Sequence, residues 1–148
     1  MRIGIDVRYL SHGLVGGIHT YLKCLIPVLL DRGREHTFVL YADNKAPFEL
    51  ERAALPANAS LQTLPYHNGL SSLRHDLFMH TAMANDGIEV AHFPANYGFG
   101  PRNAATVVTV HDALTLTPLT RMFGHKGSRR SARTILTTAY LHSLSVSS

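Results

Sequence analysis

Apolar positions along this chain come in two alternating textures. Short, nearly unbroken apolar runs are followed by longer stretches in which apolar residues recur every three or four positions. The first run, RIGIDV (2–7), is apolar apart from Arg2 and Asp6, as expected of a strand covered on both faces. From Ile18 to Arg32, Tyr21, Leu22, Leu25, Ile26, Val28 and Leu29 repeat at helical spacing, and Gly33 is a natural terminator. Pro27 lies inside that stretch, removes a backbone donor and costs about 3 kcal/mol in a helix interior, so a kink is expected there.

The alternation continues to the end. HTFVLYA (36–42) reads as a second strand, and 43–59 as a connection with a short helix. SLQTLP (60–65) is a third strand, 70–85 a second long helix and EVAHFP (89–94) a fourth strand. ATVVTVH (105–111) is the fifth and has the densest β-branched run. A helix over 121–142 then leads into LSVSS (144–148), the start of a sixth strand. Strands alternating with crossovers of this length predict an α/β domain, a Rossmann-like three-layer fold with a mostly parallel sheet of about six strands. Such sheets bind ligands beyond the carboxyl ends of their strands, which puts the loops after Val7, Phe93 and His111 on one rim.

Composition narrows the class without naming a function. The 148 residues suffice for one domain, 45% are hydrophobic and 16% charged, and nothing signals disorder. A net charge of +4 suits anionic ligands or surfaces but is no nucleic-acid signature. The lone Cys24 excludes an internal disulfide framework, and Asp6 and Arg8 interrupt any leader-like apolar stretch. No run approaches the roughly 18 apolar residues of a membrane span. These features lead us to expect a cytoplasmic protein.

Four features sit where chemistry is expected. Gly16 and Gly17 lie between the first strand and the first helix, where unpaired N–H groups and partial positive charge collect. They serve either as a plain turn or as a bare-backbone loop that lets an anion approach. The pattern is neither GxGxxG nor a P-loop, which counts against a nucleotide-dependent oxidoreductase. His111 and Asp112 fall at the end of the fifth strand. His111 is either a donor to a ligand hydroxyl or carbonyl, with Asp112 orienting it, or a strand-end histidine satisfied by backbone. His92 invites the same pair of readings, and Asp6 with Arg8 reads as a structural ion pair. Finally, Lys126, Arg129, Arg130 and Arg133 gather on one side of the last helix, either as a solvated face or as a surface for a phosphorylated acceptor or an anionic leaflet. The histidine spacings and the single cysteine match no metal site, so none is expected.

Taken together, GIDVRYL, GLVGGIHTYLKCLIPVL, EVAHFPAN, TVVTVHDALTLTPL and the helix leading into HSLSVSS resemble the N-terminal half of a family-4 glycosyltransferase of the GT-B architecture. The resemblance covers essentially all of 2–148. It implies a retaining transfer of a sugar from a nucleotide-sugar donor to a sugar, lipid-linked or other acceptor, without a metal or bound cofactor. In that family two Rossmann-like domains face each other across a cleft, the first chiefly holding acceptor and the second donor. The likeness places Gly16 and Gly17 against the donor diphosphate or the acceptor, and His111 near the reacting centre. It puts Asn96, Tyr97 and the basic residues 126–133 on the acceptor side, with peripheral membrane contact as one form that acceptor recognition takes. His19 departs from the small residue often found after the glycine pair, and the family's donor-binding motifs have no counterpart here. The expectation is therefore an acceptor-side domain, with its donor domain absent, that is inactive alone. A non-catalytic Rossmann-like module that pairs with a separate chain is the alternative.

Overall fold

The computed structural model describes residues 1–11, 16–46 and 55–111. Within them lie β1 (Arg2–Asp6), α1 (Gly17–Arg32), β2 (Thr37–Asp43), β3 (Ala59–Leu64), α2 (Gly69–Asn85), β4 (Val90–Phe93) and β5 (Ala105–Val108). A short 3-10 turn, Arg8–Leu10, follows β1. The short helix expected within 43–59 falls largely, and the last helix and sixth strand wholly, outside the described residues.

All five strands are parallel, in the order β3-β2-β1-β4-β5. The chain winds outward from β1 through β2 to β3, then returns to the other side of β1 for β4 and β5. That reversal defines a switch point between β1 and β4, and sheets of this kind bind ligands beyond the carboxyl ends of the strands at such a point. The fold is thus a Rossmann-like α/β sheet with a helix packed on each face.

Alternation along β2 divides the core. Phe38, Leu40 and Ala42 join Ile5, Val7, Leu22, Ile26 and Leu30 on the α1 face, whereas Val39 and Tyr41 meet Met79, Met83, Ile88, Ala91 and Phe93 on the α2 face. Burying a side chain such as Ile5 contributes roughly 1.5–3 kcal/mol, so these two clusters hold both helices to the sheet.

The helix ends follow from local chemistry. α1 buries His19, Leu22, Ile26 and Leu30, one stripe at helical spacing, and runs through Pro27 without ending. At its far end the Asn58 side-chain amide donates to the carbonyls of Leu30 and Gly33 at 3.1 and 3.3 Å. α2 opens on a capping box, in which Asn68 accepts from the N–H groups of Leu70 and Ser71 and Ser71 accepts back from Asn68. It closes at Gly87, whose φ of 66° is the left-handed conformation glycine adopts most easily, and Ile88 N–H returns to the Met83 carbonyl. Among the described residues no helix is long and apolar enough to cross a membrane.

One strand is shorter than its sequence suggests. The run 105–111 stops pairing regularly at Val108, because its only described neighbour, β4, ends at Phe93. His111 is consequently carried past the strand rather than held at its end.

Candidate functional site

The crevice lip is assembled from three connections. After β4, Asn96 takes a left-handed φ of 67°, which an asparagine tolerates better than most residues, and this turns the chain across the end of β5. Its N–H donates to the Thr109 carbonyl at 2.9 Å, while Thr109 N–H donates to the Phe93 carbonyl at 3.0 Å. The Asn96 side-chain oxygen then accepts from His111 N–H at 2.6 Å. Asn96 is therefore the clasp that fixes where His111 goes.

His111 is held by two further contacts. Its Nε2 lies 2.8 Å from the Pro94 carbonyl. A carbonyl only accepts, so Nε2 bears the hydrogen and, in the neutral ring, Nδ1 is an acceptor. The ring also meets Tyr21 edge-on, with centroids 5.0 Å apart at 77°. Tyr21 lies one turn into α1, so this contact brings the segment after β5 to the helix that Gly16 and Gly17 introduce.

Among the described residues no side chain caps the start of α1. Gly16 is the N-cap, contributes no side-chain cap, and no acidic residue lies in the first turn. A helix start carries partial positive charge, which suits an anion. Gly16 has an extended φ of −175°, and a Cβ on either glycine would meet no described atom within 4 Å. Neither local conformation nor crowding by the described residues demands glycine at these positions.

On the opposite face of the sheet the same rim is closed by charge. Arg8 pairs with Asp6 through Nη2–Oδ2 at 2.6 Å and Nε–Oδ1 at 2.9 Å, and reaches Asp76 of α2 at 2.7 Å. The ion pair expected between Asp6 and Arg8 is thus present, but it is part of a buried triad. Burial opposes the Arg8 charge, yet Asp6 and Asp76 outweigh it and hold the guanidinium pKa above its ordinary value. Tyr97, 8% exposed, donates from its hydroxyl to Asp76 Oδ2 at 2.8 Å, which ties the loop after β4 to α2. The neighbours Asn96 and Tyr97 therefore serve opposite faces.

His92 on β4 places Nε2 3.0 Å from Thr109 Oγ1, and burial lowers its pKa. Asp112 and the basic set Lys126, Arg129, Arg130 and Arg133 lie outside the described residues. Among the described residues no group of three or more His, Cys, Asp or Glu side chains is placed to hold a metal ion. Asp76 was not singled out from sequence, although a signal exists: at 76, 79 and 83 it shares the spacing of the buried methionines Met79 and Met83, a carboxylate set within an apolar stripe.

No family model, curated protein or solved structure matches this chain.

Proposed function

We propose that the chain is the acceptor-side half of a retaining glycosyltransferase, moving a sugar from a nucleotide-sugar donor to an acceptor, with the main donor-binding surface supplied by a second domain. The observation that carries this reading is the Tyr21–His111 contact, which brings His111, its Nε2 fixed on the Pro94 carbonyl, to the helix that Gly16 and Gly17 introduce. The resemblance in sequence supplies the reaction class.

In this scheme the N–H groups following Gly16 and Gly17 face the donor diphosphate, whose charge suits the positive end of α1. His111 Nδ1 accepts from a hydroxyl of the donor sugar while the Pro94 carbonyl fixes the ring through Nε2. Asn96 positions His111, and Asp112 belongs beside it. Lys126, Arg129, Arg130 and Arg133 meet a charged acceptor or an anionic surface. Transfer requires donor and acceptor to be held together in attack geometry, so these 148 residues alone are expected to bind a nucleotide-sugar weakly or not at all.

The test is His111→Ala in a protein that joins this domain to a donor-binding domain. Loss of transfer by about a hundredfold with unchanged melting supports the reading, since such positioned groups contribute on this scale. Unfolding without a specific kinetic loss refutes the site role. A second reading, a non-catalytic module that docks on a partner chain, is favoured by one observation: His111 Nε2 and the Asn96 side chain are both already used in holding β4 to the segment after β5. Micromolar binding of a nucleotide-sugar to the 148-residue chain, with hydrolysis, would contradict both.

A further inference from the structure

A second concavity, sharing no residue with the glycine–histidine lip, lies between the end of β3 and the first turns of α2. It is a cleft of about 260 Å³. Leu64, Phe78 and Met79 give it apolar walls, and Ser71, Arg74 and His75 give it polar ones. Among the described residues no carboxylate lines it, although Asp76 is next in the chain, because Asp76 turns to Arg8 and Tyr97.

Arg74 is exposed and has no ion-pair partner among the described residues. Phe78 is 58% exposed, an unusual state for a large aromatic side chain on a helix that packs a core. His75 is 9% exposed, and its Nδ1 has no hydrogen-bond partner among the described residues. Burial, and then the Arg8 charge, lower the His75 pKa, against the opposing pull of Asp43, Asp76 and the Pro65 carbonyl. The cleft therefore offers a cation with no ion-pair partner among the described residues, an exposed aromatic face and a hydroxyl.

We propose that this cleft binds a small aromatic anion, a single ring bearing a phosphate or a carboxylate. The guanidinium of Arg74 matches either anion through paired N–H donors. Phe78 accepts a ring by stacking on its exposed face. The cleft is slightly smaller than the range of about 300 Å³ and upward that holds drug-sized ligands, which limits the occupant to one ring. The site does not depend on the glycosyltransferase reading and stands or falls separately from it.

The experiment is calorimetric titration of the 148-residue chain with phenyl phosphate and with benzoate, using inorganic phosphate as the ringless control. Saturable binding of at least one aromatic probe is expected, and the tighter of the two identifies the anionic group. Arg74→Ala and Phe78→Ala alter exposed side chains, so folding is not at stake. Each is expected to weaken that probe roughly tenfold, whereas Arg32→Ala, which removes a cation from α1, leaves it unchanged. The proposal fails if neither aromatic probe saturates up to about 10 mM. It fails equally if inorganic phosphate binds as tightly, or if Arg32→Ala weakens binding as much as Arg74→Ala.

Discussion

Four glycines show how differently one residue type is used. At Gly87 a left-handed φ of 66° sets the requirement, whereas at Gly98 it is space, since an added Cβ would lie 1.9 Å from Phe93 Cγ. Phe93 is 2% exposed and cannot swing away without opening the α2-side core. Gly98→Ala is therefore expected to destabilise by roughly 1–3 kcal/mol, the usual cost of overpacking. Gly16 and Gly17 meet neither condition, so Gly16→Ala and Gly17→Ala should each change stability by less than about 1 kcal/mol. Urea denaturation of the three variants checks the contrast. A collapse of Gly17→Ala comparable to Gly98→Ala would show that the diglycine serves the fold, and would remove the physical reason for reserving that backbone for a ligand.

At the scale of elements, Arg8 is the tie between β1, α2 and the loop after β4. It faces two carboxylates in a site where it is 2% exposed, and Tyr97 reaches the same centre through Asp76. Removing the cation takes the paired charge away from two buried carboxylates, so Arg8→Met should cost about 3–5 kcal/mol. Tyr97→Phe removes the hydrogen bond to Asp76 and should cost about 1.5–3 kcal/mol. Denaturant midpoints of the two variants give the order, and a larger loss for Tyr97→Phe would dismiss Arg8 as the centre of the triad. The helices and strands of this tie were legible in the sequence because period governs them: β2 alternates between two cores, and α1 carries one buried stripe. The third member was not, because Asp76 meets Arg8 across 68 positions of chain and only the parallel order brings them together. The same limit applies to the end of β5. Composition extended that strand to His111, whereas pairing with a short neighbour and the Asn96 clasp ended it at Val108. The Asp6–Arg8 pair was readable because its members are two residues apart at a strand end.

For the whole molecule, ten histidines make acidity the natural perturbation. Two of them, His75 and His92, have pKa values lowered in the fold, the first by burial and then Arg8, the second by burial. Above about pH 6.5 both are neutral whether the chain is folded or not, and their contribution to the pH dependence vanishes. As pH falls below that value the unfolded chain takes up protons that the folded chain resists, so folding loses free energy. The loss grows until pH drops beneath the folded-state values and then levels off. Thermal unfolding followed from pH 8 to pH 5 is therefore expected to show a falling midpoint that begins near pH 6.5. His92→Gln should flatten part of the slope, and a further His75→Gln should flatten more, even where each lowers the midpoint at pH 8. If the double variant retains the full slope, the acid sensitivity belongs to other histidines, and burial at these two positions does not govern how the fold responds to protons.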